Sequence, residues 1–455
     1  MTNSPHDDLA DAELTPPTLR EATGYWFKLG LLSFGGPAGQ IAMMHHDLVD
    51  KKRWISDMRF LHALNYCMIL PGPEAQQLAT YIGWLMHRTW GGLIAGGLFV
   101  LPSLLILVAL SWVYMRFGNL PEVAAMLAGV KPAVVAIVLF AAYRIGSRVL
   151  KNKLLWCIAL LAFVAITLMQ LPFPLVIIAA ALIGSIAHHY FPGQLNVMKA
   201  HAASNKKHSK AIIDDDTPSP LHAKFSLKRM LQWLAAGVVI WAAAISCLTW
   251  LYGWQAVLTQ MGWFFTKAAL LTFGGAYAVL PYLYQGAVEH YHWLTPHQMI
   301  DGLALGETTP GPLIMVVAFV GFVGGWSQAV FGGDNLFLSG AVAASVVTFF
   351  TFLPSFLFIF IGAPLIESTQ NNLKLSAPLT GITAAVVGVI LSLALFFSQH
   401  VFFPDAAYDK LDIAAVVLAI LSLWLLVKKN LSIIKLVGLC ALLGLARHYV
   451  LLNLA

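Results

Sequence analysis

An all-α integral membrane protein made of two inverted-topology repeats, with broken, re-entrant helices at Gly/Pro motifs, is the architecture that these 455 residues predict. Composition, an internal repeat and a charge bias that changes sides between the copies carry that expectation. Apolar residues make up 59% of the chain and charged ones 11%, and the mean hydropathy is +0.76. A water-soluble globule of ordinary composition lies far from these values. Apolar runs of about 20 residues, enough to cross a bilayer, recur from Tyr25 to Leu452 and leave no stretch for a separate soluble domain.

In chain order the sequence divides into a polar tail over 1–23, a first repeat over 24–190, a polar linker over 191–229, a linking helix over 230–252 and a second repeat over 253–455. The tail is acidic, with no basic segment before an apolar stretch, so no removable signal peptide is visible. The repeat shows in LGLLSFGGPAGQ around Phe34 and AALLTFGGAYAV around Phe273, an offset of 239. The same offset takes Lys28 to Lys267, Trp54 to Trp293 and Pro71-Gly72-Pro73 to Pro310-Gly311-Pro312. Further on it becomes 252, taking Leu101-Pro102-Ser103 to Leu353-Pro354-Ser355 and Gly129 to Gly381, so one insertion of 13 residues falls near Gly325–Leu338.

Basic residues sort the loops. Lys51 to Arg53, Arg88, Arg144 to Lys153 and the linker lysines mark one side of the membrane as cytoplasmic in the first unit. The second unit's equivalent loops carry few basic residues: Glu289 to His292, Asp334 and then Asp405, Asp409, Lys410 and Asp412. Its basic loops fall at Lys374 and Lys428 to Lys435, where the first unit has Arg116 and the uncharged Gln170–Pro174; apart from Arg116 the bias is reversed. The units are therefore expected to lie inverted, with Met230–Tyr252 supplying the extra crossing, as in many secondary transporters. The net charge of +6 belongs to this topology and calls for no nucleic acid.

Phe34-Gly35-Gly36-Pro37 interrupts 24–46, and Pro71-Gly72-Pro73 interrupts 58–86. Proline removes an amide donor and glycine permits irregular backbone, so neither segment is one continuous helix. Both segments should enter the membrane and return, with the breaks near its midplane. Irregular backbone cannot face lipid, so these turns must line a cavity or be buried in protein. Half-helix N-termini and glycine turns there offer N–H groups to an anion.

Charged and hydroxylic residues beside the breaks complete the expected site. Lys28 and Lys267 each lie six residues before an FGG and can flank one anion; Lys131 is a third cation in an apolar run. Ser33, Gln40, Thr272, Thr308 and Thr309 are neutral donors, and Phe273-Gly274-Gly275 with Pro310-Gly311-Pro312 form the second pair of turns. Glu74 and Glu307, beside the two PGP turns, are candidates for a coupling proton. Cys67, Cys157, Cys247 and Cys440 are scattered without a CxxC and read as small apolar residues. His45, His46, His188, His189, His290 and His292 sit at segment ends and read as interface residues rather than metal ligands. No phosphate loop, dinucleotide fingerprint, HExxH or nucleophile elbow occurs, so neither a cofactor nor a catalytic set is expected.

LSFGGPAGQIAMM, LPGPEAQQLATYIGW and FVLPS in the first unit, with LTFGGAYAVLPYL, ETTPGPLIMVVAFVG and FLPS in the second, resemble the chromate ion transporter family in its long-chain, two-domain form. The resemblance covers essentially the whole chain. It implies an inner-membrane protein that exports chromate from the cytoplasm and confers resistance. Sulfate shares the tetrahedral dianionic shape of chromate, so a sulfate or other oxyanion carrier of the same fold stands beside that reading. The second unit has FGGA where the first has FGGP, so the two turns need not do the same work. An intramembrane enzyme acting on lipid phosphate would require an acid, base or nucleophile set that the sequence does not display. A channel is disfavoured by the duplicated architecture.

Overall fold

The computed structural model describes residues 15–34, 36–190, 211–214, 217, 220–273, 275–368, 376–403 and 411–454. Among these residues there are helices and no strand; the one extended pairing is an isolated parallel bridge between Ile55 and Ile213. Six of the described helices are long and apolar enough to cross a bilayer. The expected all-α membrane class holds.

The first unit opens with α1 (Leu19–Leu32), closed at its start by a reciprocal capping box between Thr18 and Glu21. This start lies inside the stretch expected as polar tail. Ala22, Tyr25, Trp26, Leu29 and Gly30 form the buried face of α1, which packs on α4. The expected break follows at Ser33–Phe34, then α2 (Gly36–His45) and a π-helical turn over His46–Lys51. Helix α3 (Asp57–Cys67), capped by Ser56, ends at the Pro71-Gly72-Pro73 turn. From there α4 (Glu74–Phe117) runs to His87–Arg88, where the backbone leaves helical geometry and reverses. Its two arms pack antiparallel through glycines: a Cβ on Gly83 would stand 2.4 Å from the Gly91 carbonyl oxygen, and one on Gly96 2.2 Å from Thr80 Oγ1. Helices α5 (Pro121–Val149), α6 (Lys153–Thr167) and α7 (Phe173–Tyr190) complete the unit.

Helix α8 (Leu227–Tyr252) leads to a second unit with the same element order. It comprises α9 (Val257–Leu270), α10 (Ala276–Tyr284), a π-helical turn over Gln285–His290, α11 (Pro296–Thr308), a short 3-10 turn and α12 (Val316–Ser327). Then come α13 (Leu336–Ser368), α14 (Ser376–Phe402), α15 (Ile413–Lys429) and α16 (Ile433–Leu454). The two π-helical turns occupy the same repeat position. The 13-residue insertion coincides with the longer connection between α12 and α13.

Contacts between the units are reciprocal. Helix α5 packs on α15 and α16, and its repeat partner α14 packs on α6 and α7. The matched glycines explain the closeness: Gly129 leaves room for Gly444 of α16, and Gly381 leaves room for Gly184 of α7.

The loops of the first unit gather at the start of α8. His87 Nε2 meets the Pro17 carbonyl at 2.9 Å, His222 Nε2 meets the Trp84 carbonyl at 3.1 Å, and Ser56 N–H donates to the Ile213 carbonyl at 3.0 Å. Both ends of each broken segment of the first unit therefore lie at one end of the bundle. The equivalent loops of the second unit gather at the other end of α8, where Tyr252 meets Phe331 at 6.1 Å between ring centroids and Tyr291 Oη donates to Gln260 Oε1 at 3.2 Å. With 26 residues, α8 separates these ends by about 39 Å. The four cysteines divide: Cys67 and Cys440 are buried, whereas Cys157 and Cys247 lie on exposed helix faces and fill no core.

Candidate anion-binding turns

Each FGG motif begins with the same tight turn, Phe34 N–H donating to the Leu32 carbonyl at 2.9 Å and Phe273 N–H to the Leu271 carbonyl at 3.0 Å. Gly36 and Gly275 follow at φ +73° and +97°, and Gly72 and Gly311 in the PGP turns have φ +127° and +100°. Left-handed backbone of this kind favours glycine. Gly35 and Gly274 lie outside the described residues.

The turns of one unit bind those of the other. Gly72 N–H donates to the Thr272 carbonyl at 2.7 Å, and Gly311 N–H donates to the Ser33 carbonyl at 3.0 Å. These two bonds are repeat images of each other. The LPS serines enter the same interlock, because a Cβ on Gly72 would stand 2.5 Å from Ser355 Oγ and one on Gly311 2.7 Å from the Ser103 Cβ. The FGG, PGP and LPS motifs of the two units thus meet in two repeat-related contacts.

Donors divide into those committed to the fold and those left over. Gln40 Nε2 donates to the carbonyls of Ser33, at 3.1 Å, and Gly311, at 2.5 Å, and so ties the two units together. The hydroxyls of Thr272, Thr308 and Thr309 donate to carbonyls of their own helices at 2.7 to 3.1 Å. Of the neutral donors expected from sequence, Ser33 keeps a buried hydroxyl without a partner, and Ser103 and Ser355, absent from that expectation, do so too. Their LPS matches were the available signal. Buried polar atoms without partners are uncommon and call for an explanation. Beside them α4 starts at Pro73, α10 at Gly275 and the second PGP helix at Pro312, all without a side-chain cap. Uncapped helix N-termini present N–H groups and positive dipole ends.

The charged candidates separate. Glu307 is 8% exposed and accepts a 2.5 Å hydrogen bond from Tyr277 Oη; Glu74 is the first, half-buried residue of α4. Lys28 is exposed, sharing a face of α1 with exposed Gly24, Phe27 and Leu31, because the opposite face packs on α4. Lys267 lies half-buried over the Trp263 ring at 5.6 Å. The two lysines are therefore not a matched buried pair. Lys131 instead meets Asp301 Oδ2 at 3.7 Å, and Tyr114 Oη donates to the same oxygen at 3.0 Å. Asp301 is 4% exposed and was not singled out from sequence.

Fold and site together define a multi-pass membrane protein in which paired broken helices bury glycine turns and free donors where its two units meet. The chain belongs to the chromate transporter family, whose sequence profile matches residues 21–185 and again residues 259–445. It is 30% identical over 433 residues to a chromate transport protein of Cupriavidus metallidurans, covering 95% of this chain and 94% of that one. It is 33% identical over 395 residues to a chromate transport protein of Pseudomonas aeruginosa, covering 86% and 84%. A probable chromate transport protein of Synechococcus elongatus is 29% identical over 414 residues, covering 90% and 91%. No solved structure matches the chain.

Proposed function

We propose that this protein is a secondary transporter that carries chromate, or a tetrahedral oxyanion of the same shape such as sulfate, out of the cytoplasm across the inner membrane and thereby confers chromate resistance. The observation that carries this reading is the reciprocal interlock of the turns, with three unpartnered serine hydroxyls and three uncapped helix starts beside it. Hydroxyl and backbone N–H donors suit an oxyanion, and fixed donors in a water-poor site hold it without needing an opposite charge in contact. The units lie inverted, a reading supported by the two loop clusters at opposite ends of α8 and by the reversed charge bias. Alternating access follows if one unit rocks against the other around the turns. The transported anion also explains buried donors better than lipid-phosphate chemistry does, since no acid, base and nucleophile converge there.

Glu307 is the carboxyl group positioned for coupling. An ionised carboxylate and a dianion at the same junction repel, so protonation of one favours arrival of the other. Inside-out vesicles loaded with the protein should accumulate labelled chromate, and sulfate more or less strongly, in response to a pH gradient; vesicles that accumulate neither would end the proposal. Glu307→Gln should bind substrate yet lose the gradient dependence. Gradient dependence equal to the parent's would return Glu307 to a packing role with Tyr277, and the same comparison applies to Glu74→Gln.

A further inference from the structure

A cavity of about 800 Å³ opens among α5, α11, α14, α15 and α16 and contains none of the turn residues. Among the described residues its wall presents the side chains of Lys131 and Arg447, the rings of His297, His400 and His448, and the carboxylate of Asp412. Asp301, which pairs with Lys131, does not line it. Asp412 is doubly engaged, with Oδ1 accepting from Ala415 N–H at 3.1 Å at the start of α15 and Oδ2 meeting Arg447 Nη1 at 3.1 Å. Arg447 bonds through one nitrogen of its fork and Lys131 through one partner, so both keep donors for a further acceptor. Among the described residues Lys131 is paired with Asp301 and Arg447 with Asp412, and the donors that each cation keeps are what this wall offers an anion. His297 adds a buried Nδ1 without a partner.

The cavity has a place on a path. Helix α11 begins beside it at His297 and ends at Glu307 and Thr308, next to the second PGP turn, about 16 Å further on. Asp301 lies between them on the same helix. The helix ends around the cavity belong to the end of the bundle opposite the linker: Trp112 near the end of α4 meets Phe337 at 6.3 Å, and neighbouring Phe331 meets Tyr252 at the end of α8.

We propose that this cavity is a second anion site, a vestibule in which Lys131 and Arg447 hold a tetrahedral oxyanion between the turns and the solution on the side opposite the linker. The proposal rests on the reading that the turns bind the transported anion, and it adds a separate stop with its own residues. The shared chemistry, a tetrahedral oxyanion on Lys and Arg, also fits the phosphate of an anionic lipid.

Equilibrium dialysis of purified, delipidated protein in neutral detergent with labelled sulfate separates these cases. The parent should bind two sulfates. Arg447→Gln, at a half-exposed position, should bind one, and Lys131→Gln combined with Asp301→Asn, which removes both members of the buried pair together, should also bind one. Arg447→Lys keeps the charge and should retain more of the second sulfate than Arg447→Gln. Ser103→Ala combined with Ser355→Ala should lose the other sulfate and keep the vestibular one. If the serine variant binds as the parent while the cavity variants lose half, the vestibule stands and the turn reading falls. Parental sulfate binding in both cavity variants overturns the proposal. So does a cavity that binds no sulfate but retains phosphatidylglycerol through purification in the parent and loses it in Arg447→Gln.

Discussion

The two units break their helices at the same repeat positions but furnish the breaks differently. In the first, the arm that follows the PGP turn carries buried Gln76, Gln77 and Thr80, and Gln40 sits buried beside the FGG turn. At the equivalent places the second unit has Met315, Val316, Phe319 and Val279, all buried. The first unit reverses its arm at His87–Arg88, with Arg88 at φ +56° and ψ −151°, a region that side chains rarely adopt. The second uses the longer connection between α12 and α13 and places a glycine, Gly332, at φ +86°. Duplicated backbone has thus been kept while polarity has diverged. The first unit supplies the amide ties, and the second supplies an apolar buttress in which Leu313 to Gly325 are all buried.

The sharpest test of that comparison is at the glycines that both units share. Gly72→Ala and Gly311→Ala each force a Cβ into left-handed backbone and into the facing serine, so each should lower chromate transport in vesicles by at least about tenfold through strain of about 1–3 kcal/mol. Gly332→Ala shares the positive φ but meets nothing within 4 Å, and should keep transport. Equal loss in all three would show that strain alone, without the interlock, explains the effect.

Exchange of the diverged residues should give a smaller effect. Gln40→Val removes both ties to Ser33 and Gly311 and should lower stability in detergent by about 1–3 kcal/mol, since two carbonyls lose a donor. Val279→Gln places an amide in the apolar buttress and should destabilise by a similar amount. A neutral Val279→Gln in thermal unfolding would break the contrast between the units.

Smallest is the effect at the linker, which docks on the loop face of the first unit. Burial, together with the nearby Arg88 and Arg229 charges, holds the pKa of His222 below its ordinary 6.5, partly opposed by its bond to Trp84. The neutral ring is therefore the docked form. Docking is fully supported above about 6.5 and weakens as pH falls below it, because the undocked ring then binds the proton more readily. Limited proteolysis around 211–224 should accelerate at about pH 5.5 relative to about pH 7.5 in the parent and change little in His222→Gln. Equal cleavage at the two pH values would detach His222 from the docking.

Much of this was legible because glycine and proline restrict the backbone locally. The SFGGP and PGP breaks follow from residues a few places apart, and the register of the repeat and the position of the insertion follow from two constant offsets, 239 and 252. Ser103 and Ser355 were visible as repeat matches, yet their role lies in facing the other unit's glycine, a tertiary relation that spacing does not encode. Lys28 shows the converse: an identical repeat position predicts an identical place in the chain, while exposure depends on which face of α1 packs on α4. Asp301 was hidden because its partners, Lys131 and Tyr114, are far away in sequence. The capping box at Thr18 and Glu21 was readable from its T-x-x-E spacing, but the polar residues around it resembled a tail.

On the proposed function, the oxyanion is held by the interlocked turns and their serines rather than by the repeat-matched lysines. Chromate affinity of the purified protein decides this when Ser103→Ala combined with Ser355→Ala is compared with Lys28→Met combined with Lys267→Met, both checked for unchanged thermal unfolding. The serine variant should weaken high-affinity chromate binding at least about tenfold, or about 1.4 kcal/mol, and the lysine variant should bind like the parent. A serine variant that binds like the parent, beside a lysine variant that does not bind, would contradict it.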